Sequence, residues 1–595
     1  LILLFLSSTS SSSFKYTMFV SKVATKSNIR SSIRSFSNSI KSKYNYNYNY
    51  NSYNRKSISN NLRLLAITTI SLSTATAIYI SSIKAENDSN IKSKNSISLD
   101  EFIKHNSKDD CWILINNKIY DVTDFIPNHP GGVMPLISHG GYDATMIYEK
   151  LHPKGTIEKF LSDDKFIGEL KLKENEKFPL LESDYKTDDE EFEIQRLDNI
   201  ENLPHISTIQ NYYDFEKLAK GILPKDAWAY YSCGSDDEIS MRENHYAYQR
   251  IYFKPRICVN VRDIDTSTTI LGSSSSVPFY VSATALAKLG HPDGECSIAR
   301  GAGKEGVIQM ISTLSSMSLE EISKARIPGA TQWFQLYINE DRKVAYNMVK
   351  EAEKLGMKAI FVTVDAPSLG NREKDKRLKF VNETDVNLGD DVDKSAGASK
   401  ALSSFIDCGV DWNDIKEVRS WTKLPVLIKG VQTVEDVIEA YDAGCQGVVL
   451  SNHGGRQLDT APPPVELLAE TVPVLKKLNK LRPDFEILID GGVKRGTDIL
   501  KAVALGGKDI KVSVGLGRPF LYANSVYGED GVRKLIQILK DELEIDMRLL
   551  GVTKIDQLSP KHVDTRRLIG RDAANYLYDN NYEHIATVKF KNEDD

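Results

Sequence analysis

Paired cysteines and a dinucleotide-binding glycine motif are both missing from this sequence of 595 residues. Its six cysteines include no Cys-x-x-Cys pair, which argues against a disulfide scaffold and against a cysteine-ligated metal. No Gly-x-y repeat is present, which rules out collagen. Hydrophobic residues make up 41% of the chain. We therefore expect two or more globular domains rather than a disordered protein.

Acidic residues are missing from the N-terminal segment. Residues 1–85 contain 11 Lys and Arg and no Asp or Glu, whereas the remainder carries a net charge of −16. This composition, evident from Met18 onward, is typical of a mitochondrial transit peptide, and we interpret 1–17 as upstream sequence. The uncharged run 64–83 is long enough to cross a bilayer, although a buried helix is the alternative. We predict a presequence at 1–85 with a hydrophobic sorting segment, removal near 85–87 and delivery to the mitochondrial intermembrane space.

A group of motifs between residues 97 and 172 indicates a small ligand-binding module. Residues 112–122 alternate in polarity and predict a β-hairpin that turns at Asn116 and Asn117. His129 follows within the sequence Asn-His-Pro-Gly-Gly, and His152 stands 23 residues further along. Haem iron takes two imidazoles along one axis, and the glycines let the backbone turn closely around a flat ligand.

The whole module resembles the cytochrome b5 family. The resemblance rests on DDCW at 109–112, YDVTDF at 120–125, the HPGG motif and the second histidine. It implies a small α+β domain over 97–172 that binds haem b, with His129 and His152 as the axial ligands. His139 is the rival ligand, because it lies in a Gly-rich turn between them.

A large α/β domain is predicted at 198–558, after an acidic hinge linker at 173–197. Apolar segments recur with helical sequence between them, which fits the eight parallel strands of a (β/α)8 TIM barrel. No Gly-x-Gly-x-x-Gly opens a helix after the first of them, so a Rossmann site is disfavoured. The predicted strands are 279–285, 307–313, 331–337, 359–365, 425–431, 447–453 and 486–492, and the eighth ends at 515–518.

Polar residues gather at the C-terminal ends of these strands, where the chemistry of such barrels takes place. The last two strands carry a glycine-rich, cationic set that is typical of a phosphate site. Its members are Gly492, Lys494, Arg495, Gly517 and Arg518. A mononucleotide such as FMN fits this set better than a dinucleotide.

Charged residues on other strands indicate oxidation of a small acid. Lys429 could stabilise negative charge on a reduced flavin. His453 with Asp365 makes a base and its orienting carboxylate. Arg456, placed one helical turn after His453, offers a bidentate fork for a substrate carboxylate.

The large domain is similar to the FMN-dependent family that oxidises L-2-hydroxy acids, over about residues 198–550. The motifs are SNHGGRQLD at 451–459, VTVDAP at 362–367, IKGV at 428–431, DGGVKRG at 490–496 and AWAYYSCG at 227–234. The resemblance implies that His453 takes a proton from the substrate carbon or hydroxyl, and that Asp365 stabilises the imidazolium. It further implies a carboxylate held by Arg456 and Tyr230, a hydroxyl bonded by Tyr337, and a second cation, Arg372.

The same resemblance assigns the residues that line the flavin. They are Ala283, Thr284, Ala285, Ser312, Gln335, Thr363, Lys429, Ser451, Asp490, Gly491, Gly492, Lys494, Gly517 and Arg518. Leu314 stands where plant glycolate oxidases carry a bulky aromatic residue, which favours a methyl-bearing substrate such as L-lactate.

A cytochrome b5 module in front of such a barrel is similar to the flavocytochrome family of mitochondrial L-lactate dehydrogenases. The combination implies that two electrons reach FMN and that haem b then relays them singly to cytochrome c. The net charge of −16 after residue 85 would attract such a basic partner. The family also implies a homotetramer, with the tail at 559–595 wrapping neighbouring subunits.

Two features depart from the family pattern. Lys494 stands where the family usually has Arg, which keeps the charge but loses the fork. Residues 505–519 are about four longer than the family's link into the eighth strand. That excess predicts a disturbed register beside the phosphate site. We interpret the extra residues as retained intron sequence. The irregular segment 381–400 predicts a mobile, protease-sensitive loop.

Two other functions fit the sequence less well. One is a 2-hydroxy-acid oxidase that passes electrons to oxygen, with the haem module as decoration. The other is an electron-transfer haem protein whose barrel has lost catalysis, an alternative that the extra residues near Arg518 suggest.

Overall fold

The computed structural model describes residues 96–569, apart from 130–132, 153–154, 174–175, 178, 180–189 and 381–405. All of these residues belong to one of the two units into which the chain divides, Ser93–Asp595. The predicted presequence and the predicted mobile loop at 381–400 lie outside the described residues. Among the helices within them, none is long and apolar enough to cross a membrane.

The N-terminal module is built on one sheet of five short strands. They are β1 Ser96–Ser98, β2 Asn106–Ser107, β3 Asp110–Ile115, β4 Lys118–Asp121 and β5 Phe166–Lys171, in the order β1-β5-β4-β3-β2. Strands β3 and β4 form the predicted hairpin. Asn116 and Asn117 have φ angles of 51° and 65°, which suits the two-residue turn whose twist matches paired strands.

Both faces of this sheet carry apolar packing. Ile113 and Ile115 belong to one buried cluster, and Leu114 belongs to a second one with Phe102, because successive side chains of a strand point to opposite faces. Short helices complete the module. They are Leu99–Phe102, Met134–Ser138, Thr145–Leu151 and Thr156–Phe160, with 3₁₀ turns at Thr123–Asn128 and Asp163–Lys165.

Four helices and three short strands precede the barrel. The helices are Glu190–Glu201, Tyr212–Ile222, Lys225–Ser232 and Ile239–Gln249, and the strands are β6 Tyr252–Phe253, β7 Thr268–Ile270 and β8 Ser273–Ser275. The first helix begins inside the segment predicted as a linker. The second begins with a capping box. The Asn211 side chain accepts a backbone N–H of the first helical turn, and the Asp214 side chain accepts the Asn211 N–H.

The large domain is the predicted (β/α)8 barrel. Its parallel strands close on themselves, since the last pairs with the first. The interior is packed with large side chains, among them Tyr280, Trp333 and Phe361, so it is a core and not a pore. The strands are β9 Phe279–Val281, β10 Ile308–Ser312, β11 Gln332–Leu336, β12 Ile360–Thr363, β13 Val426–Val431, β14 Gly447–Leu450, β15 Glu486–Ile489 and β16 Val512–Leu516.

The hairpin of β7 and β8 closes the N-terminal end of the barrel. Ile270 belongs to the same buried cluster as Trp333, and the Leu271 N–H donates to Glu486 Oε2 at the start of β15 (3.1 Å). The opposite, C-terminal end of the strands is left for binding.

Helices cover the outside of the barrel. They are Gly294–Lys304, Leu319–Ala325, Arg342–Lys354, Trp412–Trp421, Val434–Asp442, Pro464–Lys477, Gly496–Gly506 and Arg518–Leu550. A further helix, Glu373–Phe380, packs against the helix Lys225–Ser232 at the C-terminal ends of the strands. The helix Arg518–Leu550 is interrupted at Tyr527 and Gly528, whose backbone angles are non-helical. Short 3₁₀ turns occur at Ile206–Thr208, Ala287–Leu289, Ile555–Gln557 and Pro560–His562.

The start of the predicted tail packs with the barrel domain. Strand β17 Val563–Asp564 pairs antiparallel with β6, and the helix Arg566–Ile569 follows it. The remainder of the tail, 570–595, lies outside the described residues.

The extra residues before the eighth strand do not disturb the sheet. Strand β16 pairs in unbroken register with β15, from Ile487 opposite Val512, and with β9, up to Leu516 opposite Val281. Residues 507–511 lie before the strand, and Lys511 Nζ donates to Thr269 Oγ1 of the basal hairpin (2.7 Å). The expected disturbance of the register is therefore wrong, because β16 pairs regularly with both of its neighbours.

Candidate active site and haem pocket

The C-terminal ends of the barrel strands open into a cavity of about 830 Å³, which is within the usual size for a cofactor and substrate site. Most of the sequence-predicted residues line it. They are Tyr230, Ala283, Thr284, Ala285, Ser312, Gln335, Tyr337, Thr363, Arg372, Lys429, His453, Arg456, Asp490, Gly491, Gly492, Lys494, Gly517 and Arg518. Two others lie directly behind this wall: Asp365 contacts His453, and Ser451 contacts Lys429.

His453 and Asp365 form a hydrogen-bonded pair at the ends of β14 and β12. His453 Nδ1 lies 3.0 Å from Asp365 Oδ1, and the carboxylate is fully buried. Burial lowers the pKa of His453, and Asp365 opposes that change. Burial acts to raise the pKa of Asp365, but His453 and Lys429 outweigh it and the pKa is lowered. The pair is therefore a neutral imidazole on an ionised carboxylate near neutral pH.

A tight turn, rather than a helix, presents His453 and Arg456 to the cavity. His453 has a φ of 60°, an uncommon value for a residue with a Cβ, and its N–H donates to Ser451 Oγ (3.0 Å). Gly454 and Gly455 continue in the left-handed region, with φ of 65° and 76°. The expected helical turn between His453 and Arg456 is therefore wrong, although both side chains still line the same cavity.

Lys429 lies at the end of β13 among oxygen atoms. Its Nζ donates to Ser451 Oγ (3.3 Å) and lies 3.5 Å from Asp490 Oδ2. Burial opposes the charge, but Asp490 and Asp365 raise the pKa of Lys429 above its ordinary value. A buried ammonium group is thus held in its charged form on the cavity wall.

Two guanidinium groups lie beside two tyrosines on the other side of the cavity. Arg456 Nη1 donates to the carbonyl oxygens of Tyr230 (2.6 Å) and Cys233 (3.2 Å), and its guanidinium lies over the Tyr230 ring. Arg372 donates through Nε to the Arg456 carbonyl oxygen (3.3 Å). Burial and the neighbouring Arg456 lower the pKa of Arg372 to about 10, so both remain charged. Burial raises the pKa of Tyr337, which keeps its hydroxyl protonated.

The region predicted to bind phosphate is formed by glycines with positive φ and by Lys494. Gly491 and Gly492 have φ of 93° and 76°. A Cβ on Gly492 would lie 2.2 Å from the Asn244 carbonyl, so the chain closes tightly there. Lys494 Nζ lies 5.1 Å from the ring centroids of Tyr212 and Tyr213. Burial lowers its pKa, as is expected for a cation that faces an enclosed space.

The two arginines of the predicted phosphate set have other contacts. Arg495 pairs with Glu542 (2.7 Å) and is not among the residues that line the cavity. Arg518 lines the cavity but donates to the carbonyl oxygens of Tyr231, Gly454 and Cys233. Arg518 thereby ties the end of the eighth strand to the turn that carries His453.

The remaining wall suits the flavin part of FMN. Ser312, Gln335 and Thr363, from three adjacent strands, are linked by hydrogen bonds of 3.1 and 2.9 Å. Ala283, Thr284 and Ala285 add a flat wall of small residues after β9. Asp490 Oδ1 is buried and has no hydrogen-bond partner among the described residues, so it can accept from a ribityl hydroxyl. These residues fit the group.

His129 and His152 face each other in the N-terminal module. Their ring centroids lie 6.1 Å apart with planes at 30°. His152 Nδ1 bonds the Tyr148 carbonyl oxygen (3.1 Å), which leaves Nε2 for a ligand. Burial lowers the pKa of His152 to about 4, and the neutral imidazole is the form that binds a metal. The pair fits a haem with two axial histidines.

The rival histidine makes a different contact. His139 is buried, and its Nδ1 lies 2.7 Å from the Pro135 carbonyl oxygen within its own short helix. The histidine ring that faces His129 is that of His152.

Sequence reasoning named Tyr230 among the helices that roof the cavity but missed the other residues that these helices contribute. They are Tyr212, Tyr213, Trp228, His245 and Tyr522, which line the cavity from helices outside the barrel strands. Asn244, behind them, exchanges hydrogen bonds of 2.7 Å with Asn452 and so anchors the roof to the end of β14. The density of aromatic residues in these helices was the available signal, and apart from Trp228, within the motif of Tyr230, no motif separated them from ordinary core positions.

Comparison with protein families identifies two domains in the chain. Residues 219–565 match the model of the FMN-dependent dehydrogenases. Residues 98–171 match the cytochrome b5-like heme/steroid binding domain.

Proteins of known function resemble the chain over most of its length. The L-lactate dehydrogenase (cytochrome) of Wickerhamomyces anomalus is 53% identical over 82% of this chain and 84% of its own. The protein of the same name from Saccharomyces cerevisiae is 51% identical over 84% and 85%. Glycolate oxidase 3 of Arabidopsis thaliana is 41% identical over 60% of this chain and 96% of its own.

Solved structures agree with these relatives. The recombinant flavin-binding domain of baker's yeast flavocytochrome b2 is 52% identical, covers 68% of this chain and 99% of its own, and superimposes with a TM-score of 0.59. A double mutant of flavocytochrome b2 with pyruvate bound gives 52% identity, coverages of 68% and 99%, and a TM-score of 0.60.

The close approach at Gly492 gives a test of the cavity's construction. Gly492→Ala and Gly329→Ala both place a Cβ at positive φ, but only the first meets a neighbour, since nothing lies within 4 Å of the second. We expect Gly329→Ala to lower the free energy of unfolding by about 1 kcal/mol. We expect Gly492→Ala to lower it by a further 1 to 3 kcal/mol, roughly the effect of overpacking. Urea unfolding followed by far-UV circular dichroism measures both, and equal losses would contradict the tight contact.

Proposed function

Because the chain belongs to the FMN-dependent dehydrogenase family, we propose that it oxidises L-lactate to pyruvate with FMN and passes the electrons singly through haem b to cytochrome c. Two relatives that are 53% and 51% identical to the chain carry the name L-lactate dehydrogenase (cytochrome). The observation that carries the proposal is the buried His453–Asp365 pair beside two guanidinium groups, in a chain that also holds the His129–His152 pair.

The guanidinium groups bind and orient the acid. Arg456 and Arg372 present two positive charges to one part of the cavity, and arginine suits the planar carboxylate. Tyr230 packs its ring against Arg456 at 4.9 Å and limits the positions of that fork. The Tyr337 hydroxyl, which stays protonated, bonds the substrate hydroxyl. Leu314, packed against Tyr337, bounds the space for a methyl group.

His453 takes the proton that oxidation releases. Its Nδ1 is engaged by Asp365, so Nε2 is the atom that receives the proton in the cavity. Once the ring is protonated, the buried Asp365 carboxylate stabilises the imidazolium. A proton removed from carbon and a proton removed from the hydroxyl lead to the same charged pair.

The cavity wall that faces the cofactor carries groups that compensate the negative charge of the flavin and its phosphate. FMN, when bound, accepts the two electrons that leave the acid. Lys429 holds a positive charge on the cavity wall, where it stabilises negative charge on a reduced ring. Lys494 supplies a cation for the phosphate, and Asp490 accepts from the ribityl chain. Tyr213 and His245 line that end of the cavity from helices outside the barrel.

The N-terminal module serves as the outlet for electrons. Haem b, when bound, carries one electron at a time. His129 and His152 would hold it between them. Lys288 Nζ donates to the Glu149 carbonyl oxygen, in the helix before His152 (2.5 Å). That bond joins the module to the barrel domain. The net charge of −16 after residue 85 favours a basic acceptor such as cytochrome c.

We extend the proposal to location and assembly. The acid-free residues 1–85 and the uncharged run 64–83 support a mitochondrial presequence and sorting to the intermembrane space. The similarity to the flavocytochrome family supports a homotetramer.

An anaerobic spectral titration tests the function. We expect L-lactate to bleach the flavin absorption first and then to produce the bands of reduced haem, because two electrons enter together and leave singly. Glycolate and mandelate serve as comparison acids. Flavin reduction with haem that stays oxidised would contradict the relay and favour an oxidase; bound flavin that no acid reduces would contradict the whole function.

The pH dependence of turnover tests the base. We expect kcat/KM for lactate to fall as the pH decreases through the lowered pKa of His453, below the ordinary value of about 6.5, because the imidazolium cannot accept a proton. Asp365→Asn removes the charge that raises this pKa, so the acidic limb moves to lower pH while kcat falls roughly 10²- to 10⁴-fold. His453→Gln abolishes the acidic limb with a similar loss. His291→Gln, outside the cavity, is the control, and an unshifted limb in Asp365→Asn would refute the pairing.

Binding of FMN to apoprotein tests Lys494. We expect Lys494→Met to weaken the binding of FMN by roughly 10- to 100-fold, the usual contribution of one charged hydrogen bond. The affinity for riboflavin, which lacks the phosphate, should stay unchanged. Arg495→Met is the matched control, since Arg495 pairs with Glu542. Quenching of flavin fluorescence gives both affinities. Equal weakening of FMN and riboflavin would show that Lys494 does not face the phosphate.

A further inference from the structure

Glu295 is a buried carboxylate that has no place in the chemistry proposed above. It lies in the first turn of the helix Gly294–Lys304, and only 3% of its surface is exposed. Buried carboxylates are rare unless hydrogen bonds satisfy them. Its hydrogen-bond partners therefore indicate its role in the structure.

Both oxygens of Glu295 accept hydrogen bonds from two different loops. Oε1 accepts the Ala287 N–H (3.1 Å) and the Ser316 N–H (3.0 Å). Oε2 accepts the Ser316 hydroxyl (2.8 Å) and the Met317 N–H (3.1 Å). Ser316 Oγ in turn accepts the Lys288 N–H (2.9 Å). One carboxylate thus joins the loop after β9 to the loop after β10.

Each of these loops carries a residue that lines the cavity. Ala285, two residues before Ala287, belongs to the wall that suits the flavin, and Leu314, two residues before Ser316, bounds the space proposed for the methyl group. Leu314 packs against the buried cluster of Tyr337 and Ile406. The separation of the two loops therefore sets the distance between the flavin wall and Leu314, and with it the room for the side chain of the acid.

We infer that Glu295 is a positioning residue that holds these two loops together and thereby sets the size of the pocket for the acid's side chain. The inference rests on the proposed function for the identity of that acid. The physical reason is that three backbone N–H groups and one hydroxyl converge on one side chain whose two oxygens both accept hydrogen bonds. Glu295→Gln replaces one of these oxygens with an NH₂ group that faces N–H donors, so the link between the two loops is broken and both loops loosen.

Hydrogen exchange of the intact protein tests the connection without reference to activity. In Glu295→Gln we expect the amides of Ala287, Ser316 and Met317 to exchange at least tenfold faster, in both loops together. Glu321→Gln is the matched control, because Glu321 caps only its own helix through Ser318. Faster exchange in one loop alone, or in neither, would overturn the inference.

Substrate discrimination tests the consequence. We expect the ratio of kcat/KM for L-lactate to that for L-mandelate to fall about tenfold in Glu295→Gln, a change of the size that pocket contacts produce, and to stay within twofold in Glu321→Gln. A merely structural role would lower both values by the same factor, and that result, or an unchanged ratio, would overturn the inference.

A second variant keeps the test decisive if Glu295→Gln does not fold. Ser316→Ala removes the hydroxyl bonds to Glu295 and Lys288 but keeps the carboxylate, and we expect the same direction with a smaller change. A wild-type protein that oxidises none of the acids would refute the proposed function. Hydrogen exchange would then decide the inference about Glu295 by itself.

Discussion

The closure of the eight parallel strands is the constraint on which the rest of the structure depends. Leu516 of the last strand pairs with Val281 of the first, and all strands run in the same direction, so their C-terminal ends meet at one rim. Residues as distant in the chain as Thr284 and Arg518 therefore line one cavity. The basal hairpin closes the other end, which leaves a single place for binding on the barrel axis.

Closure also brings ionisable groups together in a buried place. The electrostatic interactions between these groups decide which of them are charged. Lys429 stays charged because Asp490 and Asp365 outweigh its desolvation. Asp365 stays charged because His453 and Lys429 outweigh its desolvation. Such buried networks contribute little net stability. Their value here is a set of fixed charges on the wall of one cavity.

The pattern of the sequence was sufficient for the regular elements and for the residues within motifs. The hairpin at Asn116 and the eight barrel strands could be predicted because alternation, buried apolar runs and turn residues are local properties. The Gly454-Gly455 pair after His453 signals a turn, but the contacts that hold this turn, from Ser451 and Arg518, could not be predicted from the sequence. Glu295 was overlooked for a similar reason: the three residues that donate to it lie on two loops, and no spacing in the chain reveals them.

The sequence by itself determined the types of chemistry: two histidines in a haem motif, a histidine with a carboxylate, and cations for a phosphate and an acid. Only the tertiary structure decided the direction and the partners of the residues within these motifs. Lys494 lines the cavity whereas Arg495 pairs with Glu542, and the ring of His152 faces His129 whereas His139 bonds the Pro135 carbonyl oxygen. The physical reason is that motifs specify local backbone and donor types, whereas burial, direction and partners arise only when distant segments pack together.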